Sequence, residues 1–264
     1  MDKLQIYGKL IHKLNSLNFH LSKYKFVEAS PWINLVRAHP ELLKEYSFFS
    51  YNNKSNYFKQ KKSFIYFLRK ALNELFSTTK FKYSNKVNKI DFLIISSHAF
   101  ESKNLTSEND FYFDNLQKYL ENNNLNSLLA LRNINNTSIK EFQKIKSFKN
   151  SSKVLMPIRH TFFKEIYYLA NLIFTKIILN FIKIKNKKTQ IILNEFNKIK
   201  ILLRSIKPLR NYDQFVYLLK KHRPKYVITT FEGHSWEFLL FKAIKFVDPN
   251  IKIFAYQHSV ILQN

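Results

Sequence analysis

The sequence predicts an α/β protein built on a mostly parallel sheet. Three observations point there. From residue 90 onward, short apolar runs end abruptly on polar residues. Stretches with helical spacing separate most of these runs. A strand followed by a helix and another strand closes only as a right-handed βαβ unit, whose strands run parallel.

The first 86 residues read instead as a helical segment. Ser30-Pro31 supplies a capping hydroxyl followed by proline at the first helical position. Pro40 opens a second short helix, HPELLKEY, and KKSFIYFLRKALNELF (61–76) carries apolar residues at helical spacing. The polar stretch 77–89 then connects this segment to the α/β domain expected over 87–264.

Within that domain IDFLIISS (90–97) is the first strand, rich in β-branched residues and bounded by polar ones. DFYFDNLQKYLENN reads as a helix, SLLALRN (127–133) as a strand, and KVLMP (153–157) as a short strand stopped by Pro157. Two helices, near 160–184 and 189–206, form an inserted helical hairpin. YDQFVYLLKKHRP is a helix closed by Pro224. KYVITTF (225–231), SWEFLLFKAIKFV (235–247) and IKIFAYQH (251–258) complete a last strand, helix and strand.

The best candidate for a membrane segment, 166–184, contains Asn171, Lys176, Asn180 and Lys183. At about 100° per residue these fall with Lys164 and Thr175 on one half of the helix. That predicts an amphipathic helix rather than a membrane span. Its apolar half is expected against the core, with a membrane-surface helix as the alternative. The first twenty residues have no uninterrupted apolar region and no small-residue cleavage site, so they do not read as a signal peptide. The expected compartment is the cytoplasm, with contact at the inner membrane face left open.

The formal charge of +26 would ordinarily suggest nucleic acid or an anionic membrane as partner. Its make-up weakens that inference. Only seven of the 44 basic residues are arginines, at 37, 69, 132, 159, 204, 210 and 223. Lysine, asparagine, isoleucine and phenylalanine are inflated together, as an AT-rich codon supply would produce. Arginine is the residue suited to planar phosphate recognition. Nucleic acid is therefore disfavoured as a partner. The chain has no cysteine, which excludes disulfides and thiolate metal sites.

Function is sought where parallel strands end, because ligands of open α/β sheets bind outside the carboxyl ends of the strands. His98 follows the first predicted strand; Arg159 and His160 follow the third. Glu232, Gly233 and His234 follow the strand ending at Phe231, while Gln257 and His258 close the last one. Four of the eight histidines thus stand at one predicted sheet edge. Gly233 is one of only two glycines and sits where a strand turns sharply into a helix. A positive φ or a close backbone approach there costs glycine nothing, and the helix amides beyond it would face an anion. Trp236 lies on the apolar stripe with Leu239, Leu240, Ala243, Ile244 and Val247, which marks it as core. The chain contains no GxGxxG, Walker loop, GxSxG or HExxH motif, and no Asp/Glu/His cluster at metal spacing.

TFEGHSWE, followed about twenty residues later by AYQHS, resembles bacterial surface-carbohydrate biosynthesis proteins, the capsule and lipopolysaccharide transferases of GT-B type. The close match covers roughly 225–260. The resemblance implies a Rossmann-like sheet, the first of two such domains. The second should begin at QHSVILQN, so it is expected to be absent or truncated here, leaving a fragment or a stand-alone acceptor-side half. It implies metal-independent transfer of a sugar from a nucleotide-sugar to a glycan or lipid-linked acceptor, with no cofactor. Glu232 and His258 are carried over as catalytic positions. Gly233, His234 and Gln257 are supporting substrate-binding residues, with His98, Arg159 and His160 added from their strand ends. The alternative is a basic protein that binds nucleic acid or an anionic membrane without catalysis. Such a binder would cluster its lysines, and here they are spread along the chain.

Overall fold

The computed structural model describes residues 89–98, 110–134, 153–183 and 199–257, together with the single positions 29, 190, 194 and 197. The predicted helical segment 1–86 lies outside these residues apart from Ala29, as does most of the second hairpin helix.

Five strands form one parallel sheet: β1 (Phe92–His98), β2 (Ser127–Asn133), β3 (Lys153–Met156), β4 (Tyr226–Thr230) and β5 (Lys252–Tyr256). Their spatial order is β3-β2-β1-β4-β5, and every pair is parallel. This is a Rossmann-like α/β arrangement. The chain winds outward from β1 to β3, returns, and winds the other way through β4 and β5. The order therefore reverses between β1 and β4, the topological switch point.

Among the described residues the helices are α1 (Leu116–Asn122), α2 (Phe162–Phe181), α3 (Ile199–Arg204), α4 (Ile206–His222) and α5 (Ser235–Val247). The chain divides into two compact units. One contains all five strands, α1, and α4 and α5 from Arg210 and Glu237 onward; the other contains α2, α3 and residues 233–236.

In the sheet unit, β1 and β2 are buried along nearly their whole length, as continuous apolar runs in a parallel sheet must be. Ile94, Leu129, Leu131 and Leu155 pack with Leu120 of α1, with Phe92, Phe113, Leu116 and Ile228 around them. Phe92 stacks on Tyr226 at 4.8 Å, and Tyr226 meets Phe254 at 5.9 Å, so an aromatic row crosses β1, β4 and β5. β5 is exposed at all five positions. Trp236, Leu239, Leu240, Ala243 and Ile244 are buried, as the stripe on α5 requires.

Three elements differ from the sequence expectation, each for a local reason. Residues 110–113 do not join the helix at 116. Asp110 Oδ1 accepts the backbone N–H groups of Tyr112 and Phe113 at 3.0 and 3.1 Å, and this side-chain turn competes with helix. α4 begins at Ile206 rather than 212, running through Pro208. A proline in the first turn removes an N–H that has no partner in the helix anyway.

α2 is turned against expectation. Its buried residues are Glu165, Tyr168, Leu172, Thr175 and Leu179. Phe163, Ile166, Tyr167, Ile173, Phe174, Ile177 and Phe181 are exposed. The helix is apolar over more than one face, so its pattern alone does not choose which face is covered. Its lysine side is anchored: Lys176 Nζ donates to the Asn197 carbonyl at 3.0 Å, and Asn197 Nδ2 donates to Asn180 Oδ1. Among the described residues no helix is long and apolar enough to cross a membrane.

Candidate functional site

β1 and β4 run in register from Phe92↔Tyr226 to Ile95↔Thr229, so their carboxyl ends lie side by side. The polar residues at the end of β1 and just after β4 define the switch-point edge of the sheet unit.

On β1, Ser96 and Ser97 alternate faces. The Ser96 hydroxyl donates to Asp110 Oδ1 at 2.8 Å. That carboxylate also holds the 110–113 turn, and Asp110 and Asp114 exchange backbone hydrogen bonds at 2.8 and 2.9 Å. Residues 110–114 are thereby tied to β1 through Ser96. Ser97 faces Arg132 across the β1–β2 ladder, and Arg132 Nη2 donates to Ser97 Oγ at 2.6 Å.

On β4, the Thr230 hydroxyl donates to Glu237 Oε1 at 3.3 Å. The Glu232 backbone N–H donates to both Glu237 oxygens, at 3.1 and 2.9 Å. Glu237 lies in the first turn of α5 and is fully buried. The backbone donor it accepts stands three residues before the helix, and an acid in the first turn complements the positive end of the helix. Between strand and helix, Gly233 adopts φ 80°, the left-handed conformation that its position predicts.

These groups form one electrostatic cluster. Burial, opposed by Glu237, Tyr112 and Glu232 in that order, pushes the Arg132 guanidinium down to about 9, and it stays cationic at neutral pH. Burial first, then Glu232, raises the Tyr112 hydroxyl above its ordinary value, with Asp110 and Glu237 adding and Arg132 opposing. Tyr112 therefore remains a neutral donor. Three carboxylates, one guanidinium and one phenol meet in a chain that has 44 basic residues and only 18 acidic ones. The local sign of charge is the reverse of the global one.

The predicted site residues fall as follows. Glu232 is half-buried at the switch point, its backbone fixed and its carboxylate close enough to act on Arg132 and Tyr112. Gly233 forms the turn, and His234 after it is exposed. His98 is the last residue of β1 and fully buried; burial lowers its pKa, which keeps the ring neutral. Gln257 is exposed beyond β5. Arg159 is half-buried after β3. His160 belongs with α2: its N–H donates to Glu165 Oε1 at 2.9 Å, and its ring meets Tyr168 edge-on at 6.1 Å. His258 lies outside the described residues. Among those residues no group of three His, Asp or Glu side chains is placed to hold a metal ion.

Sequence reasoning missed Arg132, Tyr112, Asp110 and the buried role of Glu237. Arg132 carried a readable signal, an arginine near the end of a strand in a chain that otherwise uses lysine. Asp110 and Tyr112 carried none, because a side-chain turn inside an apparent helix has no distinctive spacing. No known protein family, curated protein or solved structure matches this chain.

Proposed function

We propose that the sheet unit is the acceptor-binding domain of a metal-independent glycosyltransferase of cell-surface polysaccharide biosynthesis, the first domain of a GT-B-like architecture. The donor would be a nucleotide-sugar and the acceptor a glycan or lipid-linked sugar. The observation that carries the reading is the company Glu232 keeps: a half-buried carboxylate at the switch point, with Arg132 and Tyr112 in electrostatic reach.

Such a cluster suits a neutral polyhydroxylated ligand better than a phosphate. Carboxylates and a phenol accept and donate to sugar hydroxyls, whereas three nearby negative charges repel a diphosphate. In the proposed reaction the acceptor hydroxyl oxygen forms a bond to the anomeric carbon of the donor. Glu232 takes the hydroxyl proton. The bond from the anomeric carbon to the phosphate oxygen breaks, and the nucleoside diphosphate leaves with the electron pair.

The test measures nucleoside diphosphate release from a panel of nucleotide-sugars in the presence of membrane-derived glycolipid acceptor. Glu232→Gln should lower turnover by about 10²- to 10⁴-fold, with acceptor affinity little changed. Near-normal turnover in that variant removes Glu232 from the base role.

A further inference from the structure

The outward face of α2 poses a separate question, independent of the chemistry proposed above. Twenty residues long, the helix presents Phe162, Phe163, Ile166, Tyr167, Ile173, Phe174, Ile177 and Phe181 to the outside, with Phe163 82% and Phe181 79% exposed. At about 100° per residue these side chains span an arc of about 140°, and the buried residues occupy the opposite side. A row of large apolar side chains this long exceeds the scattered apolar exposure of an ordinary surface.

The charges around the arc all have one sign. Lys164 lies on one flank and is exposed, its ammonium 5.7 Å from the Tyr167 ring centroid. On the other flank Lys176 is half-buried and held by the Asn197 carbonyl, and just past the helix Lys183 is exposed. The one acidic residue of α2, Glu165, is buried and holds the His160 N–H. In the sequence Lys185, Lys187 and Lys188 follow closely.

We propose that α2 docks in the plane of an anionic lipid bilayer, with its aromatic arc in the headgroup and acyl boundary and the exposed Lys164 and Lys183 on the lipid phosphates. An apolar arc edged by lysines, without an exposed acid, complements such a surface in both charge and polarity. The helix lies on the membrane rather than across it, since its lysine side is anchored within its own unit through Lys176 and Asn180.

The experiment mixes the full chain with phosphatidylglycerol-containing vesicles and with pure phosphatidylcholine vesicles, and reads co-flotation. Binding to the first and not the second is expected. The variant carrying both Phe163→Glu and Phe174→Glu should lose at least about tenfold in partition while melting as the parent does. A chain held by charge alone would bind nearly as well with that variant, which overturns the proposal. A Phe174→Trp probe should shift its emission to the blue on vesicle binding and be quenched by brominated lipid. An emission already blue without vesicles would mean that the chain itself covers the arc, and would overturn it too. Concentration-dependent dimers that the double variant dissolves, without vesicle binding by the parent, would assign the face to a second copy instead.

Discussion

The buried carboxylate of Glu237 accepts the backbone N–H of Glu232 through both of its oxygens, at 3.1 and 2.9 Å. Five residues apart, the two glutamates do different work. Glu237 is sealed in the first turn of α5 and spends its oxygens on the backbone and on Thr230, while Glu232 keeps its own carboxylate at a half-exposed edge. The one is the clamp that sets the position of the other.

Removing that clamp leaves the Glu232 N–H and the Thr230 hydroxyl without their shared acceptor, and takes away the largest favourable charge acting on Arg132. Glu237→Ala should therefore destabilise the fold by about 3 kcal/mol, the range for stranding buried polar partners. Glu237→Gln keeps an acceptor oxygen but not the charge, and should cost about half as much. Urea unfolding of the three proteins measures both. A loss below about 1 kcal/mol for the alanine variant would mean that the freed groups find other partners.

Gly233 makes the turn before this clamp at φ 80°, where a side chain at Cβ crowds the backbone. Gly233→Ala should cost about 1–2 kcal/mol, and Gly233→Asn less, since asparagine tolerates the left-handed region. The residue is only half-buried, so packing does not confound the comparison. Equal melting temperatures for the alanine and asparagine variants would sink the conformational explanation.

Much of the sheet was legible because parallel strands announce themselves: Ile94, Ile95, Leu128 and Leu129 stand in runs that only a sheet buried on both faces accommodates. The Glu232–Gly233 turn was legible because glycine is scarce and its placement specific. The rest depended on tertiary context. Arg132 meets Ser97 through a ladder register that joins residues 35 apart in sequence. The direction in which α2 faces is set by its neighbours, and its own apolar residues would satisfy either choice. His98 reads as an edge residue in sequence yet is fully covered, because a polar side chain at a strand end carries no mark of whether anything lies over it.

That burial has a consequence for acid stability. The folded protein holds the His98 ring neutral, with its pKa lowered by burial. In the unfolded chain the same ring takes a proton at its ordinary value of about 6.5. Below that pH the unfolded state binds a proton that the folded state refuses, so stability present above pH 6.5 is lost as the pH falls toward the folded value. One such group contributes a slope of at most about 1.4 kcal/mol per pH unit. Urea unfolding between about pH 7 and pH 5 should show this decline, and His98→Gln should flatten it even where the variant is less stable throughout. A proton resonance of the His98 ring that titrates at the ordinary histidine value would contradict the assignment directly.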